Sequence, residues 1–343
     1  MSPFSHSEYD NHLRVSFVAD PDSGLRAIHA IHRPVDGRTG GGIRFRPYAS
    51  DDEALTDVLR LSKAMSYKFA LAGLPAGGAK TVIIGDPAKL KTPELLTAYA
   101  RYVESLGGLY IAGPDIGTNA DDMTELARTT RFVAGRSDLS GTTAIPTAQG
   151  CFSALKATIR AAFGRDDFTG LRIAIQGVGG VGGVLVQMLA DAGADLVVAD
   201  IDQAALDAAA ALGAKVVSPD KILAADVDLL SPNAMGAVLS KTSISTIKAR
   251  AICGCANNQL ATPDCAQALV DQGILWAPDY VVSAGGAIDG SKDAGLITAQ
   301  ESAAKIDGIG ATLATIFDSA KRQNITTEAA AHALAQDLIG QFE

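Results

Sequence analysis

A glycine-rich turn between an apolar segment and an amphipathic one constrains the fold of this chain more than any other feature. Residues 177–182 read Gly-Val-Gly-Gly-Val-Gly and match the pattern Gly-x-Gly-x-x-Gly. A predicted strand, 171–176, precedes the turn, and Asp200 ends the next predicted strand, 18 residues after Gly182. This order is typical of a dinucleotide-binding βαβ unit. The pattern therefore predicts a doubly wound, parallel Rossmann-type sheet in this half of the chain.

Each glycine of the turn has a separate physical role. Gly177 permits the tight turn, Gly179 lets the backbone approach a pyrophosphate, and Gly182 allows close packing of helix and strand. The N-terminus of the following helix adds positive potential. Asp200 would accept hydrogen bonds from the adenine-ribose hydroxyls and repel a 2′-phosphate, and no Arg or Lys nearby in the sequence offsets its charge. The sequence therefore predicts NAD as the cofactor.

A second α/β unit is expected before this one, since 343 residues exceed what a single hydrophobic core usually serves. Predicted strands and helices alternate between residues 25 and 134. The segment Ser50 to Glu53 is a capping box that begins a helix over 51–66, whereas residues 135–150 lose periodicity and are expected to link the two halves. We predict an N-terminal domain over 1–138 and an NAD-binding domain over 139–324 with a cleft between them. The C-terminal helix, 325–343, is free to pack back on the first domain.

Charge and composition exclude several classes of partner. The chain has 29 basic and 38 acidic side chains, a net charge of −9 that repels nucleic acids and anionic lipids. No apolar run approaches the roughly 18 residues of a membrane span, and no signal peptide is recognisable. The four cysteines have no metal-ligand spacing. We expect a cytoplasmic protein with no disulfide and no metal.

Lysines among small and apolar residues mark a second candidate site. Lys63, Lys68 and Lys80 all lie in such surroundings, and Gly77-Gly78-Ala79 directly precedes Lys80. Burial lowers the pKa of a lysine and can supply a neutral amine as a general base. Asp115 follows the predicted strand 109–112, at the sheet edge where α/β proteins place their chemistry. Lysine and carboxylate together indicate an active site in the N-terminal domain.

A series of motifs extends over roughly residues 12–290. They are Gly41-Gly42-Ile43-Arg44-Phe45, Lys68, Gly77-Gly78-Ala79-Lys80-Thr81, Pro114-Asp115-Ile116-Gly117-Thr118, Pro146-Thr147-Ala148-Gln149-Gly150, the turn 177–182, Ala256-Asn257-Asn258-Gln259-Leu260 and Ala277-Pro278-Asp279-Tyr280. In order and spacing they resemble the leucine/phenylalanine/valine/glutamate amino-acid dehydrogenase family, above all its leucine and phenylalanine types. The resemblance implies a two-domain α/β oxidoreductase that deaminates an L-amino acid with NAD, releasing a 2-oxo acid and ammonium, and that assembles as a homo-oligomer.

The resemblance also implies roles for individual residues. Lys80 would be the base that activates water, Asp115 would exchange protons with the amino group, and Lys68 would pair with the substrate carboxylate. The other residues expected at the substrate are Gly40, Gly41, Gly42, Met65, Gly113, Ser283, Ala287 and Gly290. Those expected at NAD are Thr147, Gly177, Val178, Gly179, Gly180, Val181, Gly182, Asp200, Ile201, Asn233, Ala234, Met235, Ala256, Asn257 and Asn258.

Several positions depart from the usual family pattern. Ser283 and Asp289 stand where asparagine is usual. The four small residues Gly40, Gly113, Ala287 and Gly290 leave room, which favours a bulky hydrophobic or aromatic substrate of the phenylalanine or tryptophan type, with leucine and valine still open. Glutamate is an alternative, with Lys292 as the candidate cation and Met65 in place of an expected lysine. A catalytically silent NAD-binding homologue is the other.

Overall fold

The computed structural model describes residues 3–138 and 143–341, and the chain divides into two compact units. The first contains Met1–Thr143, Ala287–Ser302 and Ala335–Glu343, and the second contains Ala144–Gly286 and Ala303–Leu334. The sequence-based boundaries assigned residues 287–302 to the second domain, whereas here these residues belong to the first unit. Gly290 of this segment packs near Ala134, since an added Cβ atom would lie 3.8 Å from Cβ of Ala134.

The first unit is an α/β unit built on a mixed sheet. Its elements are a 3₁₀ turn at Pro3–Ser5, β1 (Arg14–Asp20), β2 (Leu25–Arg33), β3 (Thr39–Arg46), α1 (Asp51–Leu71), β4 (Gly77–Ile84), α2 (Pro87–Leu90), α3 (Pro93–Ser105), β5 (Tyr110–Pro114) and α4 (Ala120–Leu126). The strand order is β1-β2-β4-β3-β5, with β1, β2 and β4 antiparallel and β3 parallel to both β4 and β5. Helix α1 packs Leu55, Val58 and Leu59 against Ile28 and Val82.

Helix α1 begins as predicted and ends later than predicted. The backbone N–H of Glu53 donates to Oγ of Ser50 at 3.1 Å, whereas the Glu53 carboxylate accepts from the N–H of Ala49 at 2.7 Å instead of completing the capping box at Ser50. The helix continues to Leu71 because Phe69 and Leu71 extend its buried face. This extension places Lys68 and Phe69 on the helix.

The predicted link over residues 135–150 is wrong in its second half. Helix α5 begins at Ala144 and runs to Phe163. Pro146 lies in its first turn, where the backbone N–H groups have no partner within the helix, so the missing donor of proline costs little. Residues 139–142, which include Gly141 and Thr142 of the predicted link, lie outside the described part of the chain.

The second unit has the predicted parallel sheet. After α5 come β6 (Arg172–Gln176), α6 (Gly180–Asp191), β7 (Asp195–Ala199), α7 (Gln203–Ala211), β8 (Lys215–Val216), a 3₁₀ turn (Ile222–Ala224), β9 (Leu229–Pro232), α8 (Lys241–Ile244), β10 (Ala251–Ile252), α9 (Cys265–Asp271), β11 (Leu275–Trp276) and α10 (Asp279–Val282). The strand order β11-β10-β9-β6-β7-β8 is parallel throughout and confirms the Rossmann-type prediction.

Three more helices complete the chain: α11 (Gly285–Asp293), α12 (Ala299–Gln323) and α13 (Thr327–Gly340). From residue 335 onward α13 belongs to the first unit, where Nε2 of Gln336 donates to the Tyr67 hydroxyl at 3.3 Å. Within the described residues, no helix is both long and apolar enough to cross a membrane.

Strand β2 carries two buried histidines, His29 and His32. His29 is fully buried, with Nδ1 2.8 Å from the Tyr102 hydroxyl, and burial lowers its pKa to about 3. Nδ1 of His32 lies 2.9 Å from Oγ of Ser66, which accepts the N–H of Gly78. Which of the two atoms donates depends on the tautomer of His32. Burial lowers the pKa of His32 to about 4.

We predict that these histidines make the fold acid-sensitive. An unfolded histidine binds its proton near pH 6.5, whereas His32 stays neutral in the folded chain until about pH 4, so the free energy of unfolding falls as pH decreases through this interval. In His32→Asn, whose amide can still hydrogen-bond to the Ser66 hydroxyl, the slope of unfolding free energy against pH should be smaller by up to about 1.4 kcal/mol per pH unit. Urea denaturation from pH 7.5 to 4.5 measures both slopes, and equal slopes would contradict the prediction.

Candidate active site

Two glycine-bearing rows cross the sheet of the first unit. In the parallel pairings, Gly40 lies between Gly78 and Ile111, and Gly42 lies beside Gly113. In the same register Lys80 is the neighbour of Gly42 on β4. Side chains two residues apart on a strand face the same side, so Gly40 and Gly42 expose one face of β3. Together these glycines form a patch of the sheet surface with few side chains, next to the amine of Lys80.

Three of these glycines are required by what lies over them. A Cβ atom at Gly78 would lie 2.1 Å from the backbone nitrogen of Ser66, and one at Gly42 would lie 2.9 Å from Nζ of Lys80 and 2.8 Å from Cβ of Asp115. At Gly40 it would lie 2.7 Å from the ring of Phe69. The room that the sequence predicted at Gly40 is therefore filled by Phe69.

Gly113 is different, because the atom nearest to an added Cβ is the carbonyl oxygen of Gly41 at 3.9 Å. The sheet face is open at this point. Gly41 itself faces the other way, where a Cβ would lie 1.7 Å from the Ala79 oxygen, and its carbonyl accepts the hydroxyl of Tyr110 at 2.9 Å. The structure thus places open space over Gly113, in the same row as Lys80.

Lys80 and Asp115 form a buried ion pair at this patch. Nζ of Lys80 lies 2.9 Å from Oδ2 of Asp115, and the Lys80 side chain is only 6% exposed. Burial lowers the pKa of Lys80, although Asp115 acts in the opposite direction. Burial alone would raise the pKa of Asp115, but the charges of Lys80 and Arg44 reverse this and hold it well below its usual range. The pair has the composition of a general base and a proton-transferring carboxylate.

The loop after β5 fixes the position of Asp115. Its backbone N–H donates to Oγ1 of Thr118 at 2.9 Å, and that hydroxyl donates to the carbonyl of Ile43 at 2.8 Å. Gly117 has a φ of +82°, and a Cβ there would lie 1.8 Å from the oxygen of Phe45. Only glycine fits so close to β3, so the Pro-Asp-Ile-Gly-Thr sequence has a structural reason.

Sequence reasoning missed the residues behind this pair. Nε of Arg44 donates to Oδ2 of Asp115 at 2.8 Å, and its Nη1 lies 3.2 Å from Asp57. The Tyr48 hydroxyl donates to Oδ2 of Asp57 at 2.7 Å. Arg44 is part of a recognised motif, but the sequence alone assigned it no role. Side chains alternate along a strand, so Arg44 could have been placed on the same face of β3 as Gly42, beside Lys80.

The other residues predicted at the substrate lie on α1, α11 and the preceding turn. Lys68 and Met65 are half-buried on α1, and Met65 precedes Phe69 by one turn. Lys63 instead pairs with Asp10 at 2.8 Å. On α11, Ala287 and Gly290 are half-buried, and Gly290 packs near Ala134, whose N–H donates to Ala112 of β5.

The glycine turn of the second unit has the geometry that its sequence predicts. Gly177 has a φ of +88°, and a Cβ at Gly182 would lie 2.0 Å from the Gly177 oxygen. Around Gly179, no atom of the described residues lies within 4 Å of an added Cβ. Helix α6 begins at Gly180, so its unpaired N–H groups border this open space. A pyrophosphate fits such a turn.

Asp200 lies beside the turn and is held by the backbone. Its Oδ2 accepts from the N–H of Val178 at 2.7 Å, and its Oδ1 accepts from those of Ile201 at 2.7 Å and Asp202 at 3.0 Å. Partial burial would raise the pKa of Asp200, but these hydrogen bonds lower it. Its carboxylate is therefore charged at neutral pH, and Ile201 next to it is 95% exposed.

Two loops meet near the glycine turn. A Cβ at Gly177 would lie 2.6 Å from Cβ of Ala234, and the N–H of Ala237 donates to the carbonyl of Asn258 at 2.6 Å. Oδ1 of Asn233 accepts from the N–H of Cys255 at 2.8 Å, next to Ala256. The structure therefore brings together the residues predicted at the cofactor over 233–235 and 256–258, and Met235 among them is exposed.

Thr147 and Ser283 border the same loops. The Cys255 thiol lies 3.8 Å from the carbonyl oxygen of Thr147 on α5. The Ser283 hydroxyl donates to Oδ1 of Asn257 at 3.0 Å, so the residue in the usual asparagine position contacts the loop predicted to bind the cofactor. Asp289, the other departure, binds Lys292 at 2.6 Å.

Comparisons with known proteins show which proteins this chain is similar to. The family model for the Glu/Leu/Phe/Val dehydrogenase dimerisation domain matches residues 10–132, and that for glutamate/leucine/phenylalanine/valine dehydrogenase matches residues 195–294. Leucine dehydrogenase from Bacillus subtilis is 38% identical over 99% of this chain and 94% of its own length. Phenylalanine dehydrogenase from Lysinibacillus sphaericus is 42% identical over 96% of this chain and 89% of its own length.

A solved structure is also similar to this chain. The crystal structure of L-tryptophan dehydrogenase from Nostoc punctiforme matches with a TM-score of 0.86 and 37% identity, covering 96% of each chain.

The glycine patch yields a stability prediction. Gly42→Ala places a methyl group against Lys80 and Asp115, so we expect a loss of about 1–3 kcal/mol in the free energy of unfolding. Gly113→Ala on the neighbouring strand is the matched control, expected within about 0.5 kcal/mol of the parent because its methyl group enters open space. Denaturant unfolding compares the variants, and equal losses would show that the row is not packed as described.

Proposed function

We propose that this chain reversibly deaminates hydrophobic L-amino acids with NAD. The chain belongs to the glutamate/leucine/phenylalanine/valine dehydrogenase family and is therefore an amino-acid dehydrogenase. The products are the 2-oxo acid and ammonium. The observation that carries the proposal is the buried amine of Lys80, paired with Asp115 beside a sheet face that is open over Gly113. A cytoplasmic homo-oligomer remains part of this proposal.

Lys80 and Asp115 supply the proton transfers. A pyridine nucleotide held by the second unit would supply the hydride acceptor for oxidation of the substrate α-carbon to an imine. Neutral Lys80 then removes a proton from water as the water oxygen attacks the imino carbon. Asp115 relays this proton from Lys80 to the amino nitrogen, and Lys80, neutral again, takes the hydroxyl proton as the carbonyl forms and ammonia leaves. A charged amine could not act as the base, which is why burial of Lys80 matters.

Substrate carboxylate and side chain require different surroundings. We assign the carboxylate to Lys68, a half-buried cation on the helix that covers the glycine rows. The side chain would lie over Gly113, bordered by the Phe69 ring and Ile111. These neighbours are apolar, and Lys292, the candidate partner of a distal carboxylate, is already paired with Asp289 and Asp293. A hydrophobic substrate therefore fits better than glutamate.

Aromatic and branched aliphatic side chains differ in how they use this space. Phe69 removes the room at Gly40, while the sheet face over Gly113 is open. We propose that a large side chain lies across Gly113 against the Phe69 ring, where an aromatic group gains an additional ring contact. Phenylalanine and tryptophan are accordingly the first substrates to test, before leucine and valine.

The residues of the second unit fit a dinucleotide. The open face of Gly179 and the N-terminus of α6 would receive the pyrophosphate, and the charged Asp200 would bind the adenine ribose. A 2′-phosphate would meet the charge of Asp200. NAD is the cofactor that this carboxylate favours, and Asn233 with Ala256 to Asn258 would contact the nicotinamide side.

The proposed reaction is tested by initial rates of NADH formation near pH 10 over a panel of L-amino acids. We expect the highest kcat/KM for hydrophobic substrates and a loss of about 10²-fold or more in kcat for Lys80→Met, with NAD binding retained. Lys63→Met is the matched control, because Lys63 pairs with Asp10 instead. Preference for glutamate, or full activity in Lys80→Met, would contradict the assignment, and binding of NAD without turnover would indicate a silent homologue.

Cofactor choice gives a separate prediction. Asp200→Asn keeps an acceptor oxygen but removes the charge, so the ratio of kcat/KM with NAD to that with NADP should fall by about tenfold or more. Asp202→Asn is the control, since Asp202 caps α7 by accepting from Ala204 and asparagine caps equally well. An unchanged ratio in Asp200→Asn would exclude contact between Asp200 and the ribose.

A further inference from the structure

Two cations share one oxygen of Asp115. Nζ of Lys80 and Nε of Arg44 make their closest contacts with Oδ2, at 2.9 and 2.8 Å. A carboxylate oxygen that already serves two charged donors has little capacity left for a third partner. The substrate amine is therefore expected at Oδ1, and Arg44 contributes to this choice as much as Lys80 does.

Arg44 is held from its other side. Its Nη1 lies 3.3 and 3.2 Å from the two oxygens of Asp57, and its side chain is 11% exposed. Asp57 also accepts the Tyr48 hydroxyl at 2.7 Å, and the Arg46 guanidinium lies 4.4 Å from the centre of the Tyr48 ring. Charges of alternating sign thus run from the sheet patch to the helix α1.

We propose that Arg44 is a positioning residue for the deamination, sharing Oδ2 of Asp115 with Lys80 while Asp57 and Tyr48 hold the guanidinium in place. This inference rests on the proposed function and assigns it a residue that neither touches the substrate nor moves a proton. Its task is to orient Asp115 and to divide the negative charge of that carboxylate between two cations.

The division matters because Lys80 must lose its proton to act as a base. A carboxylate paired with Lys80 alone would stabilise the ammonium form strongly in this buried place. Arg44 takes part of that attraction, and its positive charge also disfavours a second cation nearby. Accordingly Arg44 lowers the pKa of Lys80, although by less than burial does, while Asp115 and Asp57 raise it.

Other ionisable groups on the surrounding elements do not replace this effect. Among the ionisable groups on the elements packed against β4, those that act on the pKa of Lys80 are Asp115 after β5, Arg44 on β3 and Asp57 on α1. His32, with its pKa of about 4, is neutral in the working range. The two groups with a charge next to Asp115, besides Lys80 itself, are therefore Arg44 and, behind it, Asp57.

The test is the pH profile of kcat/KM for oxidative deamination by the full chain. Arg44→Met removes the charge, so Lys80 should hold its proton more tightly and the ascending limb should move by about one unit to higher pH, a loss of about tenfold at a fixed pH on that limb. Arg44→Lys keeps the charge and should return most of the shift. Comparing variants on one substrate cancels the ionisation of the substrate itself.

Asp57→Asn moves the limb in the opposite direction, to lower pH, because it removes an anion and leaves an acceptor for Tyr48. Asp57→Asn also tests the proposal if Arg44→Met fails to fold. An active parent with the same limb in all variants, or a uniform loss at every pH, would overturn the positioning role and leave the proposed function standing. A parent inactive on every amino acid would instead overturn the proposed function.

Discussion

The buried contact between Lys80, Asp115 and Arg44 is the constraint on which the rest of the first unit depends. Charges so far from water are tolerated only when each has a partner, and Asp57 completes the set with a second carboxylate. The set needs β3 between β4 and β5 in one register, because Arg44, Lys80 and the loop after β5 come from three strands. It also needs glycine at position 42, since any side chain there would occupy the place of the Lys80 amine.

In the proposed function, the same four groups explain why the amine of the general base is buried. A buried amine with no partner would simply remain neutral, and a buried amine with one carboxylate would remain charged. With Arg44 opposite, the two forms of Lys80 come closer in free energy, which is what a general base requires near its working pH. Because pairing also stabilises the fold, removing any one member costs stability and activity together, and only a pH profile separates the two effects.

Local sequence patterns predicted the features that depend on residues close together in the sequence. The turn at 177–182, the Ser50 cap and the parallel sheet follow from residues that are neighbours in sequence, and the structure confirms them. The start of α5 was not predictable in this way, because a segment with glycine, threonine and Pro146 reads as a loop until packing supplies the helix with a partner. The partners of Arg44 depend on strand register and on α1, 13 residues away at Asp57, and no periodicity reports such a contact.

The glycines show most directly why a sequence leaves the substrate open. The sequence counts four small residues as four missing methyl groups, yet the Phe69 ring fills the space at Gly40, whereas the space over Gly113 is open. In the proposed function, substrate size therefore depends on a pair of positions, 40 and 69, that lie on different elements. A side chain at position 40 would have to displace the ring, whereas loss of the ring would widen the patch without touching a glycine. We therefore expect specificity to follow from the packing of α1 on β3, the same packing that brings Asp57 to Arg44.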